Sequence, residues 1–419
     1  MPASGGGGVA IPPATDQLPT ANLPTWGPPG APPDAVDAVS ADPVAHGRYL
    51  AVTGDCAACH TRVGGAPYAG GRGINTPFGA IFSSNITPDP ATGIGAWSAD
   101  DFYRAIHKGV GHGGKRLYPA FPYPYFTHIT RADSDDLFAY LRTVPAVADT
   151  PPPNKLPFPL NIRFLMRIWN ALFFKPGAFA AEPARSAEWN RGAYLVQGPG
   201  HCGACHTPKN FLAADKAGRA LQGGKLDNWT AVNLTGDVRD GLGGWSKADI
   251  VEYLRTGRNA RTSASGGMTE VVYRSTSRMS DADLAAMATY LKDAAPSGRT
   301  APQAADAAAM RAGEAIYLDS CAACHRADGK GVPRLFPPLS GDAAVQSADA
   351  TTITRMILTG SRSIPTPGAP TPLAMPPYGG KLTNAQVASV ATYVRNSWGN
   401  AAPAVTASQV AALRRRVSP

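Results

Sequence analysis

The sequence predicts an all-α protein: three tandem helical domains joined and wrapped by long Gly/Pro-rich loops. Three observations lead there. Six cysteines fall into three pairs with one common spacing. A helical segment precedes each pair, and a second closes the stretch that follows it. Gly (45) and Pro (40) make up about a fifth of the 419 residues, which is loop-rich yet short of the roughly 25–30% of a low-complexity chain. With 44% hydrophobic residues a buried interior is available, and a chain of this length divides into about three domains.

Taken in order, residues 1–42 read as a flexible tail. There are 10 Pro and 6 Gly in the first 43 residues, and no Lys or Arg before Arg48. No export signal is recognisable in this stretch, which lacks a basic start and an apolar run. The first domain is expected over 43–150, the second over 184–296 and the third over 306–400, with a C-terminal tail at 401–419. Their opening helices are read in HGRYLAVTGDCAACH, NRGAYLVQGPGHCGACH and RAGEAIYLDSCAACH, where Tyr49 and Leu50, Tyr194 and Leu195, and Ile316 and Tyr317 take the buried positions. The closing helices are read in DSDDLFAYLRTV, SDADLAAMATYLKD and TNAQVASVATYVRNSW, with Ser134, Ser280 and Thr383 as N-caps. Linkers are marked by Pro151–Pro153 and by the Ala/Pro/Ser stretch 294–305. Few strands are expected.

The cysteine pairs are Cys56 and Cys59, Cys202 and Cys205, Cys321 and Cys324. Each is followed at once by a histidine: His60, His206 and His325. C-x-x-C-H is the attachment signature of c-type haem. Two thiols two residues apart add to the two vinyl groups of one porphyrin, and the adjacent imidazole becomes the proximal iron ligand. A zinc half-site or a dithiol redox pair would use the same residue types. Three copies, each with an adjacent His and no cysteine to spare, favour three covalent c-type haems. An opening helix crossing a closing helix beside a haem is the plan of cytochrome c, so the expected architecture is three tandem cytochrome c-like domains. Such haems are assembled outside the cytoplasm, which predicts a periplasmic location.

Electron-carrying haems of this kind usually take a methionine sulfur as sixth ligand. The candidate in the third domain is Met375, before the closing helix, with Met310 and Met356 as core alternatives. In the second it is Met268, with Met279 as runner-up and Met287 as packing. The first domain holds no Met between 43 and 150, and Phe121 stands where one is wanted. His107, His112, His128, Met166 from the following linker, or no ligand at all remain open there.

With these motifs in hand, the chain resembles the multihaem cytochrome c subunits of membrane-associated bacterial dehydrogenases acting on alcohols, gluconate, fructose or aldehydes. SSNITPD, LPFPLNIRFLMRIWNALFF, AEWNRGAYLVQGPGHCGACHTPKN and MPPYGGKLT carry the likeness, which spans about residues 45–400. LYPAFPY, with Phe121 in place of the usual Met, is similar to cytochromes that accompany molybdenum-containing aldehyde or N-heterocycle hydroxylases. The resemblance implies an electron-transfer subunit without substrate chemistry of its own. It implies a molybdenum, flavin or quinoprotein catalytic subunit as donor, and quinone or a terminal oxidase as acceptor.

No phosphate loop, hydrolytic triad or flavin fingerprint is present; GGRG and GVGHGG read as haem-wrapping loops. The net charge of +9 does not argue for nucleic acid, since three haems bring up to six propionates. No apolar run is long enough to span a membrane. The segment 156–174 is apolar but interrupted by Arg163 and Arg167, suiting an amphipathic membrane or partner contact, or interdomain packing. Arg414, Arg415 and Arg416 are expected to add attraction to anionic lipid. The rival function is a peroxidase-like haem enzyme with an open iron in the first domain.

Overall fold

The computed structural model describes residues 40–298, 305–363 and 365–417. The expected tail lies outside these except for residues 40–42, as does the 299–304 part of the 294–305 linker. Helices dominate. Strand among the described residues is confined to three antiparallel hairpins: Gly73–Thr76 with Gly79–Phe82, Gly224–Leu226 with Trp229–Ala231, and Ser361–Arg362 with Ala374–Met375.

Three opening helices pack on three closing helices: Pro43–Thr53 on Arg131–Leu141, Ala187–Gln197 on Asp281–Lys292, and Ala307–Ser320 on Asn384–Asn396. Side-chain oxygens of Asp42, Ser186 and Asp306 cap the opening helices and satisfy backbone N–H groups that the first turn leaves unpaired. Ser280 and Thr383 cap the second and third closing helices, the latter in a reciprocal box with Gln386. The first closing helix starts earlier than the sequence suggested. Thr130 is its cap, accepting from the Asp133 N–H, and Ser134 is a buried interior residue. The acidic DSDD run imitates a helix start, but extended backbone belongs to Thr130.

Each crossing is set by a glycine at the same place in the repeat. A Cβ on Gly47 would lie 1.9 Å from the Asp136 carbonyl oxygen; on Gly192, 1.9 Å from that of Ala286; on Gly313, 2.2 Å from that of Ser389. Only hydrogen fits between backbones so close. Two further helices, Ala99–Lys108 and Lys247–Thr256, repeat one local code. Ser98 with Asp101, and Ser246 with Asp249, form capping boxes, while Gly109 and Gly257 end the helices in left-handed conformation.

Three buried hydrophobic clusters result, each around one helix pair. The first two units exchange side chains: Tyr49 Oη donates to Asp283 at 2.6 Å, and Tyr194 Oη donates to Asp133. Tyr49 belongs to the hydrophobic cluster of the second unit. The third unit docks on the second, where Arg355 stacks over Trp229 at 4.4 Å and Thr352 exchanges hydrogen bonds with the Thr230 backbone.

In the C-terminal segment, expected as a tail over 401–419, the described residues 401–417 pack on the third unit. The segment carries a helix, Ala407–Val417, whose Val410 and Leu413 are buried in the third cluster. Arg395, fully buried, donates to the carbonyls of Pro403, Val345 and Ser347 and so clamps the segment to the core. Arg414 is likewise structural: its guanidinium donates to the Gly379 and Leu382 carbonyls and to Asn384. That removes it from the basic cluster expected to face lipid.

Candidate haem sites

Every C-x-x-C-H lies on a single helical turn. The first is the helix Cys56–His60; in the others Cys202 and Cys321 cap the turns Gly203–His206 and Ala322–His325. The His206 and His325 N–H groups donate to the carbonyls of Cys202 and Cys321, both at 3.0 Å. This winding brings both thiols to one side with the imidazole one residue on.

The three histidines share one further partner type. Nδ1 of His60 lies 2.7 Å from the Ser84 carbonyl, that of His206 2.7 Å from Val232, and that of His325 2.9 Å from Pro337. A carbonyl only accepts, so Nδ1 carries the proton and Nε2 keeps its lone pair. This is the arrangement that orients a metal-binding imidazole and raises its basicity. Burial lowers the pKa of all three rings, the carbonyl bond opposing, so each stays neutral. Ser84 and Val232 are supplied by the chain just after the two longer hairpins. There Asn85 and Asn233 hold the turn by accepting from the Thr87 and Thr235 N–H groups. The NIT and NLT triplets were the available sequence signal for these carbonyls.

Burial pushes the thiols of Cys56 and Cys202 up to about 12 and that of Cys321 up to about 11. All six cysteines are free of disulfide. Donor set, tautomer and spacing fit covalent haem.

The sixth-ligand candidates fall into a pattern. Cys56 packs on the first cluster together with Phe121, Cys202 on the second with Met268, and Cys321 on the third with Met375. Met268 and Met375 are only partly buried. Met279 and Met287 are sealed in the second cluster, each 2% exposed. Met310 packs on the third cluster, and Met356 sits in the helix Thr351–Thr359.

Around the first site, Phe121 packs at a tilt against Phe126, which meets the His201 ring edge-on. His112 bonds Asp101 at 2.9 Å on the surface, and His107 stacks on Tyr103. His128 is bonded to the Gly177 backbone and lies against Gly198. Met166 lies in the first turn of the helix Leu165–Phe173.

Trp169 on that helix donates to the Leu212 carbonyl, and Asn170 accepts from Tyr123, so one face is tied to both neighbouring units. The other face is an apolar stripe at helical spacing: Phe164, Ile168 and Leu172 are 61%, 52% and 66% exposed. No helix among the described residues is long and apolar enough to cross a membrane.

Helix pairs crossing beside attachment turns define the class of haem-binding domain known as cytochrome c, and the pattern of that family matches residues 44–145 and 310–398. The chain is 43% identical over 395 residues to the gluconate 2-dehydrogenase cytochrome c subunit of Pantoea cypripedii, covering 89% of each. It is 41% identical over 408 residues to the cytochrome c subunit of the quinone alcohol dehydrogenase of Gluconacetobacter polyoxogenes, covering 92% of this chain and 86% of that one. It is also 39% identical over 396 residues to one of the subunits of nicotinate dehydrogenase from Pseudomonas putida, covering 92% of this chain and 33% of that protein. The chain belongs to the family of cytochrome c subunits of bacterial dehydrogenases.

Proposed function

We propose that this protein is an electron-transfer subunit carrying three covalent c-type haems on three tandem cytochrome c domains. It takes electrons from a dehydrogenase catalytic subunit, of molybdenum, flavin or quinoprotein type, and passes them to quinone or a terminal oxidase. The observation that carries the reading is the threefold recurrence of a C-x-x-C-H turn whose histidine Nδ1 is held by a backbone carbonyl. When bound, each haem supplies a reversible one-electron iron couple. The chain itself holds each ring through two thioethers at Cys56 and Cys59, Cys202 and Cys205, Cys321 and Cys324. It presents Nε2 of His60, His206 and His325 and surrounds the porphyrin with apolar residues. The cytochrome c subunits of gluconate and alcohol dehydrogenases among its relatives support the partner class. Likeness to a nicotinate dehydrogenase chain supports a donor that oxidises an N-heterocycle, the class to which the Phe121 wording points.

Met268 and Met375 are proposed as sixth ligands of the second and third haems. The first haem is proposed to lack a sulfur ligand, because Phe121 takes the corresponding place. Location is proposed as periplasmic, peripheral to the cytoplasmic membrane, with the exposed Phe164, Ile168 and Leu172 stripe supporting contact with lipid. The test is a redox titration of the full chain with Met375→Ala and Met268→Ala variants. Each should lower one potential of three and leave the others unmoved. Three unshifted waves in both variants would overturn the ligand assignment, and a haem content below three would overturn the triheme reading.

A further inference from the structure

The second haem's proposed ligand, Met268, sits on the helix Gly267–Arg274, which is poorly anchored by its own sequence. No side chain caps its start, where Gly266 adopts φ +55°, and its end at Ser275 is irregular. Val272 buries one face. The face bearing Glu270 is held from another part of the chain. Glu270 accepts two parallel hydrogen bonds from Arg72, at 2.6 and 2.8 Å, and one from Arg274 at 2.9 Å. Its side chain is 12% exposed, so the pair is largely screened from water, where a forked guanidinium–carboxylate contact is strong and directional.

Arg72 lies 198 residues away, in the loop leading to the first hairpin. Its Nη1 also donates to the carbonyl of Ala58, which lies between the cysteines of the first attachment turn. One guanidinium therefore ties the backbone of the first haem motif to the helix that carries Met268. Ser275 adds a parallel tie by donating to the Thr53 carbonyl at 3.1 Å.

We infer that Arg72 is a positioning residue for the second haem: it sets the place of the Met268 sulfur from the first haem's attachment turn. The inference rests on Met268 being the sixth ligand. Its consequence is that second-haem ligation depends on the docking of the first two units. Loss of the bridge frees the helix and weakens the iron–sulfur bond without removing any ligand atom.

The test uses the holoprotein and follows the sulfur-to-ferric-iron charge-transfer band, to which the second and third haems each contribute. Met268→Ala and Met375→Ala should each remove half of it. Arg72→Gln should remove much of the half that Met268→Ala removes, and Arg72→Gln combined with Met375→Ala should leave little. Arg72→Lys, which keeps the charge but not the fork, should restore part of the band. Glu270→Gln, which leaves the first unit untouched, serves should Arg72→Gln lose haem. A full band in both Arg72→Gln and Glu270→Gln, with Met268→Ala halved, overturns the inference alone. A full band in Met268→Ala overturns the ligand assignment and the inference with it.

Discussion

Replacing Gly192 with Ala probes the helix crossing that sets the second attachment turn. The added methyl would sit 1.9 Å from the Ala286 carbonyl oxygen. Ordinary contact begins at 3.4 Å, so the helices Ala187–Gln197 and Asp281–Lys292 must part by about 1.5 Å along that line. A gap of that size forfeits much of the dispersion along the seam, and overpacking of this kind costs about 3 kcal/mol. Alanine regains about 1 kcal/mol of helix propensity over glycine, leaving a net loss of about 2 kcal/mol. In guanidinium chloride, with a slope of about 4 kcal/mol per molar, the midpoint falls by about 0.5 M. Denaturation followed by haem absorbance measures it, with Gly177→Ala as control, since a Cβ there meets nothing within 4 Å. The reciprocal tyrosine bonds Tyr49–Asp283 and Tyr194–Asp133 should carry the loss into the first unit. An unchanged or raised midpoint would refute the reasoning, because it would mean the crossing accommodates a side chain.

Arg395→Leu should leave three carbonyls without their donor, that of buried Val345 among them, and loosen the C-terminal helix, costing about 2 kcal/mol. Proteolysis after residue 400 would then accelerate, and resistance equal to the parent chain would count against the clamp. His201 is half-buried beside Phe126, and its pKa is lowered from 6.5 chiefly by desolvation. The unfolded chain therefore takes up the proton first, so stability is intact above pH 6.5 and declines as pH falls below it. His201→Gln should flatten that acid slope in denaturant midpoints between about pH 7.5 and about pH 5; His128 shares the direction and keeps part of it. Ser at both Ile168 and Leu172 should cut co-sedimentation with anionic vesicles at least tenfold, each buried side chain contributing about 1.5 kcal/mol or more. Undiminished binding would leave the stripe without a membrane role.

The covalent chemistry and most of the local structure were legible in the order of residues. Thiol addition to vinyl groups and proximal ligation involve residues within one turn, so C-x-x-C-H can be read wherever it occurs. The caps Ser280 and Thr383 and the opening-helix aromatics were readable for the same reason, being decided over three or four positions. Folding settled the rest, because distant contacts leave no periodic trace. The Ser84, Val232 and Pro337 carbonyls that fix each histidine come from 12 to 26 residues away. Thr130 and not Ser134 starts the first closing helix because the backbone is extended there. The C-terminal segment, read as a tail because it follows the last closing helix, becomes part of the third unit once buried Arg395 claims its Pro403 carbonyl. The same holds for Arg414, whose charge suggested lipid and whose donors are spent on the chain. Among the three methionines of the second domain, spacing alone left a choice; burial separates Met279 and Met287, sealed in the cluster, from the partly open Met268. Arg72 and Glu270 look like ordinary surface charges in the sequence, and only folding places them 2.6 Å apart, between the first attachment turn and the helix that carries Met268.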